Sequence, residues 1–386
     1  MRAALTVMAI WAAGLGAAAQ FGKISVLYDV LGAAYPDQAG VGIALMVSVV
    51  GMVGLVFGTT AGILVTRIGP RRAMLAALVL GAAVSVVQSW FPPFGVMMAS
   101  RVLEGVSHLA IVVVGPTAIA AVAPPARQGL ALSLWSTFFG LTYAVLFAVA
   151  PPLVGAAGPS ALFLAHAGWM LAMAVILAVL MPRDPAKAPP VPGGWLRRHM
   201  EIYASPRIAA PATGFVCYTV TYVALLTLLP GAVSEGWGQA VGVAMPLVSI
   251  AVSLSLGVWL LGRMSAVRVV QTGFAAALVG GLALVLGWGV GWAELTGALM
   301  LAGALGLVQG ASFAAIAQLN TSDADRAGAS GAIAQLGNLG TTTGTPLLAF
   351  LLVKAGLTGL GLFILGFSAL GIAIHAVQAR RRAVSG

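Results

Sequence analysis

Charge is what this chain most lacks: only 7% of its 386 residues are Asp, Glu, Lys or Arg, against about 25% in soluble domains. That scarcity excludes an ordinary water-soluble fold. Cysteine is almost absent as well. Cys217 stands alone, so an intrachain disulfide and a cysteine metal cluster are both ruled out. The four histidines, His108, His166, His199 and His375, are scattered, and no pair has metal-ligand spacing. With no nucleophile-and-base motif either, the chain is not expected to be an enzyme or to carry a cofactor. Acidic residues number 9 against 19 Lys and Arg, for a formal charge of +10. The excess does not point to nucleic acid, because nearly all of it lies in short loops on one side of the apolar segments.

What is present is hydrophobicity. It accounts for 60% of the residues, in runs of about 20 that recur along nearly the whole length, as in a helical bundle and unlike the short alternating strands of a barrel. Breaks at charged, Pro and Gly clusters predict spans at 4–32, 38–66, 73–91, 94–122, 129–151, 160–182, 207–231, 240–262, 268–289, 293–319, 328–353 and 358–378. The expected fold is therefore an all-α membrane protein with twelve transmembrane helices. Arg2 and the small residues Ala17 to Ala19 imitate a secretory signal, but apolar character continues to Leu31, too far for a signal core.

The loops alternate in charge. Arg2, Arg67, Arg71, Arg72, Arg127, the 183–207 segment, Arg263, Arg268, Arg326 and Arg380 to Arg382 fall on one side; the opposite loops hold Lys354 with Asp37, Glu235 and Glu294. The positive-inside rule then expects both termini in the cytoplasm, and the compact loops fit a bacterial inner membrane. The longest connection, rich in Pro and Gly, divides the chain into an N-terminal six-helix bundle at 1–182, a cytoplasmic linker at 183–206 and a C-terminal six-helix bundle at 207–386. Trp195 to His199 within it reads as a short amphipathic piece on the membrane surface.

The two six-helix halves repeat weakly. The segment from Arg101 to His108 aligns with that from Gly306 to Phe313, matching Glu104 to Gln309 and Ser107 to Ser312. The loop from Arg67 to Arg72 aligns with that from Arg263 to Arg268. Parallel pseudo-repeats of this kind are a transporter design.

Helix 4 carries the chemistry. Arg101, Glu104 and His108 stand at i, i+3 and i+7 in the apolar run from Phe94 to Val122, so they share one stripe beside Gly105. Ionisable residues in lipid face a bundle interior or a cavity and mark substrate or proton paths. Lys23, one turn after Gln20, is the other intramembrane cation, at a depth from which it reaches the cavity Arg101 faces. Two cations with Glu104 leave a positive balance, which expects an anionic solute, bound by Lys23 and Arg101. Glu104 and His108 are the expected proton-coupling groups, with the proton as coupling ion. The plainer reading of Arg101 and Glu104 is a self-neutralising pair within the helix. In the second half, Tyr218, Thr221 and Tyr222, then Gln309, Ser312 and Phe313, then Gln335, Asn338 and Thr342 form neutral polar stripes. Tyr222, Gln309, Gln335 and Asn338 are the expected substrate-binding members. Gly337, Gly340 and Gly344 are expected to permit close helix packing, and His166 reads as a hydrogen-bonded packing residue.

The loop Gly62-Ile63-Leu64-Val65-Thr66-Arg67-Ile68-Gly69-Pro70-Arg71-Arg72 resembles the Gly-x-Leu-x-Asp-Arg-x-Gly-Arg-Arg loop of the major facilitator superfamily, and the chain resembles that family over essentially its whole length. The resemblance implies the major facilitator fold, secondary transport by alternating access, and a cytoplasmic gate at Gly62, Arg67, Gly69, Arg71 and Arg72. Thr66 stands where the family has aspartate, so the acid that helps latch the gate in relatives is missing there. Arg101 followed by Gly105 is similar to the family's helix 4 arginine motif, associated with proton coupling. Ala150-Pro151-Pro152-Leu153-Val154-Gly155 departs from the antiporters' Gly-Pro-x-x-Gly-Gly, which lowers the standing of the alternative, proton-driven efflux of amphipathic drugs. The expected partners are a small solute and the lipid bilayer, with the protein working as a monomer.

Overall fold

A computed structural model describes residues 2–124, 127–184 and 195–384; at 59–60, 62–64, 66, 129, 195–196, 198 and 323–324 it describes the backbone alone. Most of the predicted linker, 185–194, lies outside the described residues, as do the side chain of Thr66 and the surroundings of Gly62.

Among the described residues the chain is all-helical. The elements are α1 (Arg2–Val26), α2 (Tyr28–Ala34), α3 (Val41–Ser48), α4 (Val50–Ile68), α5 (Pro70–Gln88), α6 (Phe94–Val122), α7 (Gln128–Ser136), α8 (Phe138–Ala157), α9 (Ser160–Leu180), α10 (Trp195–Ala204), α11 (Ala210–Ala232), α12 (Gly238–Val252), α13 (Val258–Leu261), α14 (Ala266–Leu286), α15 (Gly291–Leu319) and α16 (Asp323–Val384). Ten helices among these are long and apolar enough to cross a membrane. The last of them is two helices joined at Gly356, whose φ of 51° and ψ of −128° interrupt the helical path. The stretch of α3 and α4 is, taken together, long and apolar enough for another crossing. Together these make up the twelve spans.

Several span edges differ from expectation. The fifth span was expected to stop at Pro151, yet α8 runs through Pro151 and Pro152 to Ala157 and ends at Gly158, where φ is 77°. An internal proline forfeits one backbone bond and bends a helix, which neighbouring membrane helices accommodate. The same span begins later than expected, because a break at Thr137 sets α7 apart from α8. A one-residue break at Leu27 likewise ends α1 before the predicted edge. A π turn at Ser253–Gly257 separates α12 from α13.

The chain forms two compact units, residues 1–39 with 49–192 and residues 40–48 with 193–386. In the first, Ile10 and Ala13 of α1 pack with Met74 and Leu78 of α5, Ile111 and Val114 of α6, and Met170 and Leu177 of α9. Trp135 of α7 closes this core, lying so near Gly14 and Gly115 that a methyl group at either would collide with its ring. In the second unit the core is built from Leu225 of α11, Met245 of α12, Phe274 of α14, Leu305 of α15 and Ile364 of α16. Gly340 and Gly344 of α16 lie directly on Thr219 and Val220 of α11, where any side chain would meet backbone. Small residues allow this close approach, which in lipid must substitute for a hydrophobic driving force.

Helix α10 covers the end of the predicted linker. Its Tyr203 donates to Gln335 Oε1 of α16 at 2.8 Å, and Ile202 packs beside Gly328. The opposite face is exposed, with Arg197 donating to Glu201 at 2.9 Å.

Candidate functional site

In the first unit, three polar side chains, Lys23, Gln88 and Arg101, converge on Glu104 of α6. Lys23 of α1 donates to Glu104 Oε1 at 2.5 Å. Arg101, one turn before Glu104 on α6, ion-pairs with its Oε2. Gln88 of α5 donates to the same Oε2 at 2.9 Å and to Ser100 Oγ at 3.0 Å. Lys23, Arg101 and Glu104 are all 0% exposed. Helix geometry produces the Arg101–Glu104 contact by itself, since i and i+3 are neighbours on one face. The other partners arrive only because α1 and α5 pack against α6 at the same depth.

Lys23 also donates to Ser85 Oγ at 2.7 Å and stands 3.3 Å from His166 Nδ1. His166 Nε2 lies 3.0 Å from the carbonyl of Gly16, which only accepts, so this nitrogen carries the proton. Nδ1 is then the acceptor, and Ser85 Oγ, 2.8 Å away, donates to it. The result is a continuous hydrogen-bonded chain from Glu104 through Lys23 and Ser85 to His166 and the Gly16 carbonyl. Buried charges are sustained only by such pairing, because leaving one unpaired costs several kcal/mol, about 3–5.

His108, expected beside Glu104 as a proton partner, sits apart from this chain. Its Nδ1 is 3.0 Å from the carbonyl of Ala17, and its ring meets the edge of Phe21 at 5.0 Å. The histidine that joins the chain is His166, through Ser85 and Lys23. Ser85, Gln88 and His166 were not singled out as site residues, although Ser85 and Gln88 share an i, i+3 spacing inside an apolar run. That spacing was the available signal.

The arginine loop has its own acid. Asp184, just beyond α9, accepts from the backbone N–H of Arg71 at 2.7 Å and of Arg72 at 3.2 Å, and its carboxylate is 3.7 Å from Arg72 Nε. Arg71 also donates to the carbonyl of Ala178 at 2.6 Å. These amides belong to the first turn of α5, whose N–H groups have no intrahelical partner and favour negative charge. Gly69 (φ 100°) turns the chain between α4 and α5, and a side chain there would collide with Asp184. Arg67 is exposed.

In the second unit Tyr222, the expected ligand residue of α11, is buried and stacks on Tyr218 with centroids 5.1 Å apart. Tyr218 follows Phe215 at 5.2 Å, and Phe215 meets Phe313 of α15 at 5.4 Å, giving a ladder of four rings. Gln309 is half-buried on α15. Asn338 donates to the carbonyl of Ala334 in its own helix at 2.7 Å, and Gln335 is held by Tyr203. Among the described residues no group of His, Cys, Asp and Glu has the geometry of a metal site.

The family model of the Major Facilitator Superfamily matches residues 3–345. The chain belongs to this superfamily. It is a secondary transporter. No curated protein matches the chain closely enough to add a relative. In this transporter the superfamily's arginine loop is anchored by Asp184 rather than by an acid at position 66, and Arg101 of α6 is paired with Glu104.

Proposed function

We propose that this transporter moves a small organic anion across a bacterial inner membrane with protons, as a monomer with both termini cytoplasmic, by alternating access. The supporting observation is the sharing of one buried carboxylate, Glu104, by two buried cations, Lys23 and Arg101. One positive charge in this cluster exceeds its carboxylate. An incoming carboxylate or phosphate neutralises that excess, with the arginine fork suited to bidentate contact and the lysine to a movable point charge. Protonating Glu104 frees both cations for the solute; deprotonating it draws them back. Solute and proton are thereby coupled through one side chain. The chain through Ser85 makes His166 the second proton-bearing group, and His108 then serves to seat α6 on α1. In the other unit Tyr222, Gln309 and Asn338 supply stacking and hydrogen bonds without charge, which suits recognition of a polar solute's shape.

The deciding experiment compares pH-driven uptake with solute counterflow in proteoliposomes. Glu104→Gln, which keeps an oxygen to accept from Lys23, is expected to abolish the first and retain the second. Persisting pH-driven uptake rejects Glu104 as the coupling group. Cargo class is read by thermal shift: an anion at about 100 times its Kd stabilises the folded protein by about 2.7 kcal/mol. The shift is expected to vanish in Lys23→Gln. Stabilisation by lipophilic cations alone, indifferent to Lys23, overturns the anion assignment.

A further inference from the structure

Helices α1, α8 and α9 enclose a groove of about 260 Å³ within the first unit. Ala19 of α1 forms its back, and Val149 of α8 and Trp169 of α9 its lips. Both lips are open, Val149 at 50% and Trp169 at 42% exposure, on helices long and apolar enough to cross a membrane, which brings acyl chains within reach of the groove. Along α8 it extends from Thr142 to Leu153, about 16 Å at the helical rise. Lys23 and His166 lie in its wall, and the Thr142 hydroxyl is turned away onto the carbonyls of Leu15 and Phe138.

Lys23 is the charge that the groove and the buried cluster have in common. Its ammonium has three protons to give, and the partners are unequal: Glu104 at 2.5 Å, Ser85 at 2.7 Å and His166 at 3.3 Å. The last is the longest. It is also the least needed, because Ser85 already donates to the same Nδ1. Turning that third proton toward the groove therefore strands no polar atom, and a carboxylate receiving it there would offset the excess positive charge of the cluster.

We infer that the groove binds an amphiphilic carboxylate from the bilayer, its hydrocarbon tail along α8 and its headgroup on Lys23. The inference rests on the anion reading above for the sign of the headgroup, and it adds a hydrocarbon tail and a lateral route of entry. Apolar walls burying a chain contribute roughly 25 cal/mol per Å² of buried area, and the cation selects the charged end.

The test uses dibrominated stearate, whose bromines quench a tryptophan they touch, beside its uncharged methyl ester, on the purified transporter in detergent. The acid is expected to quench saturably and the ester only in proportion to its partitioning. Trp169→Phe should remove the saturable component. So should Ala19→Phe, which fills the groove. Lys23→Gln should weaken the acid roughly tenfold; if that variant fails to fold, Ala19→Phe decides. Equal quenching by acid and ester, or a saturable component that survives both Trp169→Phe and Ala19→Phe, overturns the inference. Because binding is read without flux, saturable quenching in a protein that carries no anions withdraws the transport reading and keeps the groove, whereas anion transport without it withdraws the groove alone.

Discussion

Asp184 holds the first turn of α5 through the backbone N–H of Arg71, at 2.7 Å across 113 residues of sequence. A carboxylate at this position does the work of an N-cap, although it comes from the end of α9 and not from the residue before the helix. The arginine loop is thus tied to the far end of its own six-helix half.

Asp184→Ala is expected to lower stability by about 1–2 kcal/mol, the usual worth of a cap, and to reduce transport by freeing the arginine loop. Asp184→Asn keeps an oxygen for the Arg71 N–H but loses the charge facing Arg72. Near-normal melting with impaired transport in Asp184→Asn would identify the charge, rather than the cap, as the functional part. Full transport in both variants would remove Asp184 from the gate.

Glu104→Ala leaves Lys23 and Arg101 buried without their carboxylate. A loss of about 3–5 kcal/mol is expected, read as a lower thermal midpoint in detergent. Adding Lys23→Met should restore part of it, since one fewer uncompensated charge remains. A double variant no more stable than the single one would show that the three groups are not energetically coupled.

Gly344→Ala places a methyl group against the backbone of Val220, while Gly366→Ala, on the same element, meets open space. The first is expected to cost about 1–3 kcal/mol and the second to be nearly neutral. Equal effects would mean that the α11–α16 contact is looser than its geometry.

Tyr203→Phe removes the bond to Gln335 and should loosen α10 by about 1 kcal/mol, raising the rate of tryptic cleavage at the exposed Arg197. Burial pushes the Tyr203 phenol up to about 12, so the folded state keeps a proton that the unfolded chain releases near pH 10. Stability from this residue is therefore present below about pH 10 and falls as pH rises toward 12. Tyr203→Phe should flatten that part of the stability profile; an unchanged profile would place the decline elsewhere.

Much of this protein was decided locally. Membrane class and helical crossing follow from hydrophobicity, a bulk property that each apolar run carries by itself, and the Arg101–Glu104 pair follows from the pitch of a single helix. The superfamily was legible in the loop from Gly62 to Arg72 for the same reason, since its residues are neighbours in sequence. Partners that depend on helix depth and rotation were not legible. Lys23 meets Glu104 across 81 residues and His166 across 143, and Asp184 reaches the arginine loop from the segment beyond α9. The same dependence turned His108, which shares a stripe with Glu104, to the Ala17 carbonyl of α1 and brought His166 to Lys23 and Ser85. A sequence states which side chains a helix offers along each face. Only the packing of α1, α5, α6 and α9 chose which of those faces meet, because steric fit between neighbouring helices, and not any local preference, sets their relative depth and rotation.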